Sequence, residues 1–211
     1  SGLRSFDRSM PEEINRILVD QITDQFFVTE ASAIKHLKAE GLDVKNDKEC
    51  VHLVGNTMID TLVAFEDEIN ASSILNELGL FNEEFILITM HRPSNVDGGE
   101  GVFFIYQLIN AVSVTKKVVF PIHPRTRKQC ESLDFWKLLS DNDQIIMTDP
   151  LDYFAFQKLI AHAGAVITDS GGLQEEAPTF KKPVLVTRTT TERTECIDAK
   201  TAILVGTKSK N

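Results

Sequence analysis

"VITDSGGLQEEAPTFKKPVLVTR", residues 166–188, holds the repeating unit of this chain. An apolar run leads into Asp169 and Ser170. Two glycines follow, then adjacent carboxylates at Glu175 and Glu176, Pro178, and a second apolar run ending near Thr187. That order reads as strand, tight turn, short helix and strand. Both runs are continuously apolar rather than alternating, as strands are when helices cover the two faces of a parallel sheet.

Outward from this stretch the same beat recurs. Strand-like runs stand at 85–90 (FILITM), 117–122 (KVVFPI), 144–148 (QIIMT), 165–169 (AVITD), 183–187 (PVLVT) and 202–205 (AILV), with helical segments between them. Upstream, residues 11–23 place Ile14, Leu18 and Ile22 at helical spacing. Residues 25–29 then read as a strand, 31–40 as a helix and 50–55 as a strand, followed by the helical run "NTMIDTLVAFEDEI". The fold class is α/β. The expected domain boundary lies near residue 63, dividing the chain into 1–63 and 64–211.

The bulk numbers narrow the partners. With 42% hydrophobic and 25% charged residues in 211, the composition is that of an ordinary globular protein. A formal net charge of −9 argues against nucleic acid, whose binders carry basic surfaces, but leaves room for a small anion held by local groups. No apolar run approaches membrane-spanning length, so no membrane partner is expected. Three widely spaced cysteines suggest neither a disulfide framework nor a zinc site, which points to a reducing, cytoplasmic compartment. The chain opens at Ser1 inside what reads as a loop feeding a helix, the start expected of a fragment.

In open α/β sheets ligands sit beyond the carboxyl ends of the strands, so residues just past a strand are the candidates. Asp169-Ser170-Gly171-Gly172 opens a helix, where unpaired amides and the positive end of the dipole suit a phosphate or diphosphate. The plain alternative is a tight turn capped by Ser170. Glu175 and Glu176 lie about 100° apart on that helix, so only one can face a given ligand, such as a ribose diol. Pro178 should keep the helix short or bent.

His91 ends a strand beside Arg92. It suits a phosphate contact or a proton transfer, or else a neutral imidazole bonded to a loop carbonyl. His123 also ends a strand, and Arg125, Arg127 and Lys128 after it form a basic spot or a solvated helix start. Arg193, in "TTTERTE", suits a diphosphate, but its flanking glutamates favour surface ion pairs. Ser9-Met10-Pro11-Glu12 matches a capping box, with Arg16 placed to pair with Glu12. Phe156 and His162 read by default as packing or surface residues of a helix.

Together, "GLRS…MPEEINR" (2–16), "GNTMID" (55–60), "HRPSN" (91–95), "DSGGLQEEAP" (169–178) and "TTERTE" (190–195) resemble the UDP-N-acetylglucosamine 2-epimerase family. The resemblance implies a GT-B-like fold of two Rossmann-like domains, the first only partly present, with the nucleotide sugar between them. It implies interconversion of UDP-GlcNAc and UDP-ManNAc through UDP elimination, a bound 2-acetamidoglucal and UDP re-addition. Neither a nicotinamide nor a metal is implied, and no cofactor is expected. Carried onto this chain, Ser170, Gly171 and Gly172 hold the diphosphate, Glu176 the ribose hydroxyls and Arg193 the phosphates. Phe156 lies against the uracil, His91 stabilises the departing UDP, and Glu12 handles a proton at C2. A homodimer is expected. Ser94 and Thr194 replace the glutamate and proline usual in the family's "HR-x-EN" and "TTERPE". The strand and loop opening the family's first domain would precede Ser1, and its closing helix would follow Asn211. A hydrolysing epimerase releasing ManNAc, a GT-B glycosyltransferase using a UDP-sugar, and a UDP-binding module without turnover remain open.

Overall fold

The computed structural model describes residues 1–45, 48–133 and 135–207, apart from the Ser94 side chain. The chain divides into two compact units. One comprises Ser1–Ala64 with Thr190–Ala199, and the other Phe65–Thr189 with the residues from Lys200 onward.

In the first unit, β1 (Phe26–Val28) pairs in parallel with a later strand, Val51–Leu53. Between them the short strands β2 (Val44–Lys45) and β3 (Lys48–Glu49) pair antiparallel, a hairpin with no signal in the sequence. Val51–Leu53 is therefore β4. Phe26, Val28, Cys50 and Val51 pack with Ala33 and Leu37 of the helix Ala31–Ala39 into a small core.

The helix Pro11–Ile22 forms as its periodicity predicts, but Leu18 and Ile22 are exposed and the residues it buries are Glu13 and Asp20. The N-terminal loop supplies their partners. Asp20 takes the Gly2 amide at 3.0 Å and Arg4 at 2.8 Å, while Arg4, itself buried, also grips Glu40 through two bonds of 2.7 Å. A buried carboxylate is tolerated where charge and hydrogen bonds compensate it in this way.

The second unit carries six strands: β5 (Phe85–Thr89), β6 (Lys117–Pro121), β7 (Ile145–Thr148), β8 (Ala165–Thr168), β9 (Val184–Val186) and β10 (Ala202–Leu204). Their order is β10-β9-β8-β5-β6-β7, and every pairing is parallel. The core joins Ile88, Val118, Phe120, Ile145 and Ile167 to Val102, Ile105 and Ile109 of the helix Gly99–Ser113. The chain builds outward from β5 to β7 on one side, then returns to begin the other side with β8. That reversal puts the topological switch point between β5 and β8, where open α/β sheets take ligands beyond the strand ends. The "HRPSN" and "DSGG" segments follow β5 and β8 respectively. Among the described residues no helix is long and apolar enough to cross a membrane.

Candidate functional site

Register brings the two segments together. Thr89 pairs with Thr168 at the carboxyl ends of β5 and β8. One residue on, Asp169 has no exposed surface and its side chain is satisfied by the loop after β5. Its Oδ2 accepts the amides of His91 (3.0 Å) and Arg92 (2.9 Å) and Nδ2 of Asn95 (3.0 Å). Its Oδ1 lies 3.1 Å from His91 Nδ1. Arg92 Nε donates to the Asp169 carbonyl at 2.9 Å, and Asn95 also donates to the Thr187 carbonyl at the end of β9. Thr126 Oγ1 donates to the carbonyl of Met90, steadying the strand end from the other side. Burial opposes ionisation of Asp169, but donation from the His91 side chain and the Arg92 amide outweighs it, and the carboxyl sits below its usual range.

Beyond Asp169 the backbone turns into the helix Leu173–Thr179, with Gly172 as N-cap and no side-chain cap. Ser170 is therefore not the capping residue. Its amide donates to Thr168 Oγ1 and its carbonyl accepts from the Gln174 side chain. The amides of Gly171, Gly172 and Leu173 make no backbone hydrogen bond among the described residues, as the geometry of a helix start requires. The helix is short, with Pro178 inside it.

Of the two acidic residues on this helix, Glu176 is buried and accepts Nε2 of Gln157 at 2.9 Å. Gln157 lies on the helix Tyr153–His162, where Asp152 caps the first turn through the Ala155 amide. Phe156 on the same helix is half-buried rather than a core residue. His162 is exposed, its ring against the Lys158 carbonyl.

The basic spot after β6 is largely neutralised. Arg125 forms a bidentate pair with Asp97, and Arg127 pairs with Asp149 at 2.6 Å while lying over Trp136. His123 caps its helix by accepting the Arg125 amide at Nδ1, so the solvated helix start is the better description.

Glu12 and Arg193 belong to the first unit. The expected capping box is absent. Met10 is the N-cap, Ser9 Oγ donates to Asp7, and Glu13 pairs with Arg16 at 2.7 Å. Glu13 also takes the amides of Ser5 and Phe6 and the Ser5 hydroxyl, leaving Glu12 on the exposed side of the helix start. Glu13, one position further on, thus makes the Arg16 pair expected of Glu12, while the Ser9 amide donates to Asp7. Glu195, expected as a surface partner of Arg193, accepts the Ser32 amide at 3.1 Å, and the Arg193 amide donates to Thr191 Oγ1. Glu30 in the same unit is buried, and burial together with the nearby charge of Glu195 raises its carboxyl above the ordinary range.

Sequence reasoning missed Asn95, Gln157 and Glu13 as organising residues. Asp169 stood in plain view within the motif, but nothing in spacing assigns it to the loop after β5.

A parallel sheet whose order reverses between two strands, with polar loops converging at their carboxyl ends, places the second unit among the Rossmann-like α/β proteins. The whole chain belongs to the UDP-N-acetylglucosamine 2-epimerase family, whose profile matches residues 1–211. A UDP-N-acetylglucosamine 2-epimerase of Methanococcus maripaludis is 36% identical over 217 residues, covering 100% of this chain and 58% of the relative. A UDP-2,3-diacetamido-2,3-dideoxy-D-glucuronate 2-epimerase of Pseudomonas aeruginosa is 38% identical over 208 residues, covering 98% of this chain and 55% of the relative. Among solved structures, the UDP-GlcNAc 2-epimerase of Methanocaldococcus jannaschii in complex with UDP-GlcNAc and UDP matches with TM-score 0.85 and 35% identity, over 98% of this chain and 57% of that one. The chain thus spans well under two thirds of the length of these relatives, and the GT-B-like α/β class expected from the sequence holds.

Proposed function

We propose that the full-length protein is a non-hydrolysing UDP-GlcNAc 2-epimerase. The observation that carries this reading is the family match along all 211 residues, joined to a TM-score of 0.85 to a relative solved with UDP-GlcNAc and UDP. In the proposed reaction a carboxylate removes the C2 proton, the C1–O bond to UDP breaks, and its electrons leave with the diphosphate as the C1–C2 double bond of 2-acetamidoglucal forms. UDP then adds back at C1 while a proton returns to C2 on the opposite face. No water is consumed and nothing is oxidised.

The roles follow from the chemistry of each position. The amides of Gly171 and Gly172 and the Ser170 hydroxyl are of the right kind for a diphosphate at a helix start. Glu176, braced by Gln157, takes the ribose hydroxyls. Phe156 offers a half-exposed ring to the uracil. Arg193 supports the phosphates. His91 meets the charge that develops on the leaving UDP, and Glu12, exposed at the helix start, handles the proton at C2. The proposed assembly is a cytoplasmic homodimer, which light scattering checks.

The test is incubation of the full-length protein with UDP-GlcNAc in heavy water without an acceptor. Deuterium entering C2 together with UDP-ManNAc supports the proposal, and its absence overturns it in favour of a glycosyltransferase or a binding module. Accumulation of free ManNAc transfers the assignment to a hydrolysing enzyme. The Pseudomonas relative motivates one second substrate, UDP-2,3-diacetamido-2,3-dideoxy-D-glucuronate, assayed in parallel.

A further inference from the structure

Asp169 is fully buried, so no ligand reaches it, and its carboxylate is directed at the loop after β5. Oδ2 faces three donors: the amides of His91 and Arg92 and Nδ2 of Asn95. Oδ1 faces His91, its amide at 3.2 Å and its ring Nδ1 at 3.1 Å. An ionised carboxylate only accepts, so the Nδ1 against it carries a hydrogen, and Nε2 is left as the working atom of a ring whose side chain is 41% exposed.

We propose that Asp169 is a positioning residue that fixes His91 in its Nδ1–H form and seats the His91–Asn95 loop at the switch point. The inference rests on the epimerase reading for its catalytic consequence, because there His91 meets the departing diphosphate. A neutral ring with Nδ1–H presents a lone pair at Nε2 and can take up a proton. Once protonated it donates from Nε2 to a phosphate oxygen while Asp169, across the ring, balances the added charge.

The arrangement dictates what an amide in place of the carboxylate must do. In Asp169→Asn the new NH2 group cannot sit at the Oδ2 position, where it would face three donors. It sits at the Oδ1 position, where the His91 amide can keep its shorter bond to Oδ2 (3.0 Å against 3.2 Å) and the ring Nδ1 is the remaining neighbour, a contact favourable only if Nδ1 becomes an acceptor. The hydrogen therefore moves to Nε2. Backbone support from Oδ2 is retained, so the loop keeps its place while the ring acquires the wrong tautomer.

The experiment is a long-range proton–nitrogen correlation spectrum of the full-length protein labelled with 15N-histidine, with His91 assigned by its loss in His91→Gln. With the ring neutral, the wild-type spectrum is expected to show a protonated Nδ1 and a bare Nε2, and Asp169→Asn to exchange them. Turnover of UDP-GlcNAc by Asp169→Asn is expected to fall on the order of 10²–10⁴-fold, the range for general acid–base groups and for a histidine trapped in the wrong tautomer, with KM changing far less. In the His91→Gln background the same exchange should cost nothing further, because both changes act through one ring. A wild-type His91 protonated at Nε2 instead of Nδ1 overturns the proposal, and that spectrum decides even where Asp169→Asn does not fold. Losses that multiply in the double variant also overturn it. A protein that never exchanges C2 but whose His91 still switches form in Asp169→Asn sinks the epimerase reading and leaves the positioning role intact.

Discussion

Replacing Gly101 by alanine tests how tightly the loop after β5 is built. Gly101 lies near the start of the helix Gly99–Ser113, where alanine is ordinarily better than glycine by about 1 kcal/mol. Here a Cβ would stand 2.4 Å from the Asn95 carbonyl oxygen and 2.8 Å from its carbon, both backbone atoms. A relaxed C···O contact begins at about 3.3 Å, so the loop has to retreat by roughly 0.9 Å. Overpacking of this kind costs about 1–3 kcal/mol. The retreat also pulls Asn95 from Asp169 and Thr187, two buried bonds worth about 1 kcal/mol each. Against the gain in helix propensity, the net destabilisation is about 3 kcal/mol, or roughly 6–12 °C in Tm for a chain of this size. Gly99→Ala is the control, since nothing lies within 4 Å of its Cβ, and it should be neutral or slightly stabilising. Urea unfolding of the two variants gives the comparison. A Gly101→Ala protein as stable as the wild type would refute the reasoning, because it would mean the loop is free to move.

The adjacent glutamates should behave differently: Glu13→Gln puts an amide among donors from Ser5, Phe6 and Arg16 and should lose about 2–4 kcal/mol in urea unfolding, whereas Glu12→Gln should lower turnover of the full-length protein. Acid should unfold the chain in a defined window. Burial opposes ionisation of Glu13 and Asp169, but the Ser5 amide and Arg16 for the first, and His91 and the Arg92 amide for the second, depress both below their unfolded values. Their stabilisation is full above the unfolded carboxyl values near about 4 and is lost as pH falls through the lower folded ones, so a fluorescence-monitored titration should show stability declining below about pH 4. Gln157→Leu removes the donor that braces Glu176, and UDP affinity measured by calorimetry should fall about tenfold; an unchanged affinity would separate Glu176 from the nucleotide. Ser170→Ala should weaken UDP binding by a comparable or smaller factor in the same assay.

The strands were legible because the chemistry that forms them is local. The runs at 85–90, 117–122 and 165–169 have continuous apolar centres, and they appear as β5, β6 and β8 to within a residue or two. The short helix after Gly172 was legible from its glycines and Pro178 for the same reason. The β2–β3 pair was not, since its four residues, Val44, Lys45, Lys48 and Glu49, are exposed and too few to carry a period. The capping reading of Glu12 went astray at a point of real degeneracy. Two glutamates stand side by side, and only the path of the Ser5–Phe6 backbone selects Glu13.

By itself, then, the sequence determined the element types, the α/β class, the family and the list of polar residues that follow strands, because propensity, patterning and motif chemistry are written into neighbouring residues. Tertiary structure alone decided which of those residues meet. Asp169 and His91 are 78 positions apart, and Gln157 and Glu176 19 apart. They become partners only because strand order reverses between β5 and β8 and the helix Tyr153–His162 packs where it does, and long-range pairing of that kind leaves no trace in local spacing.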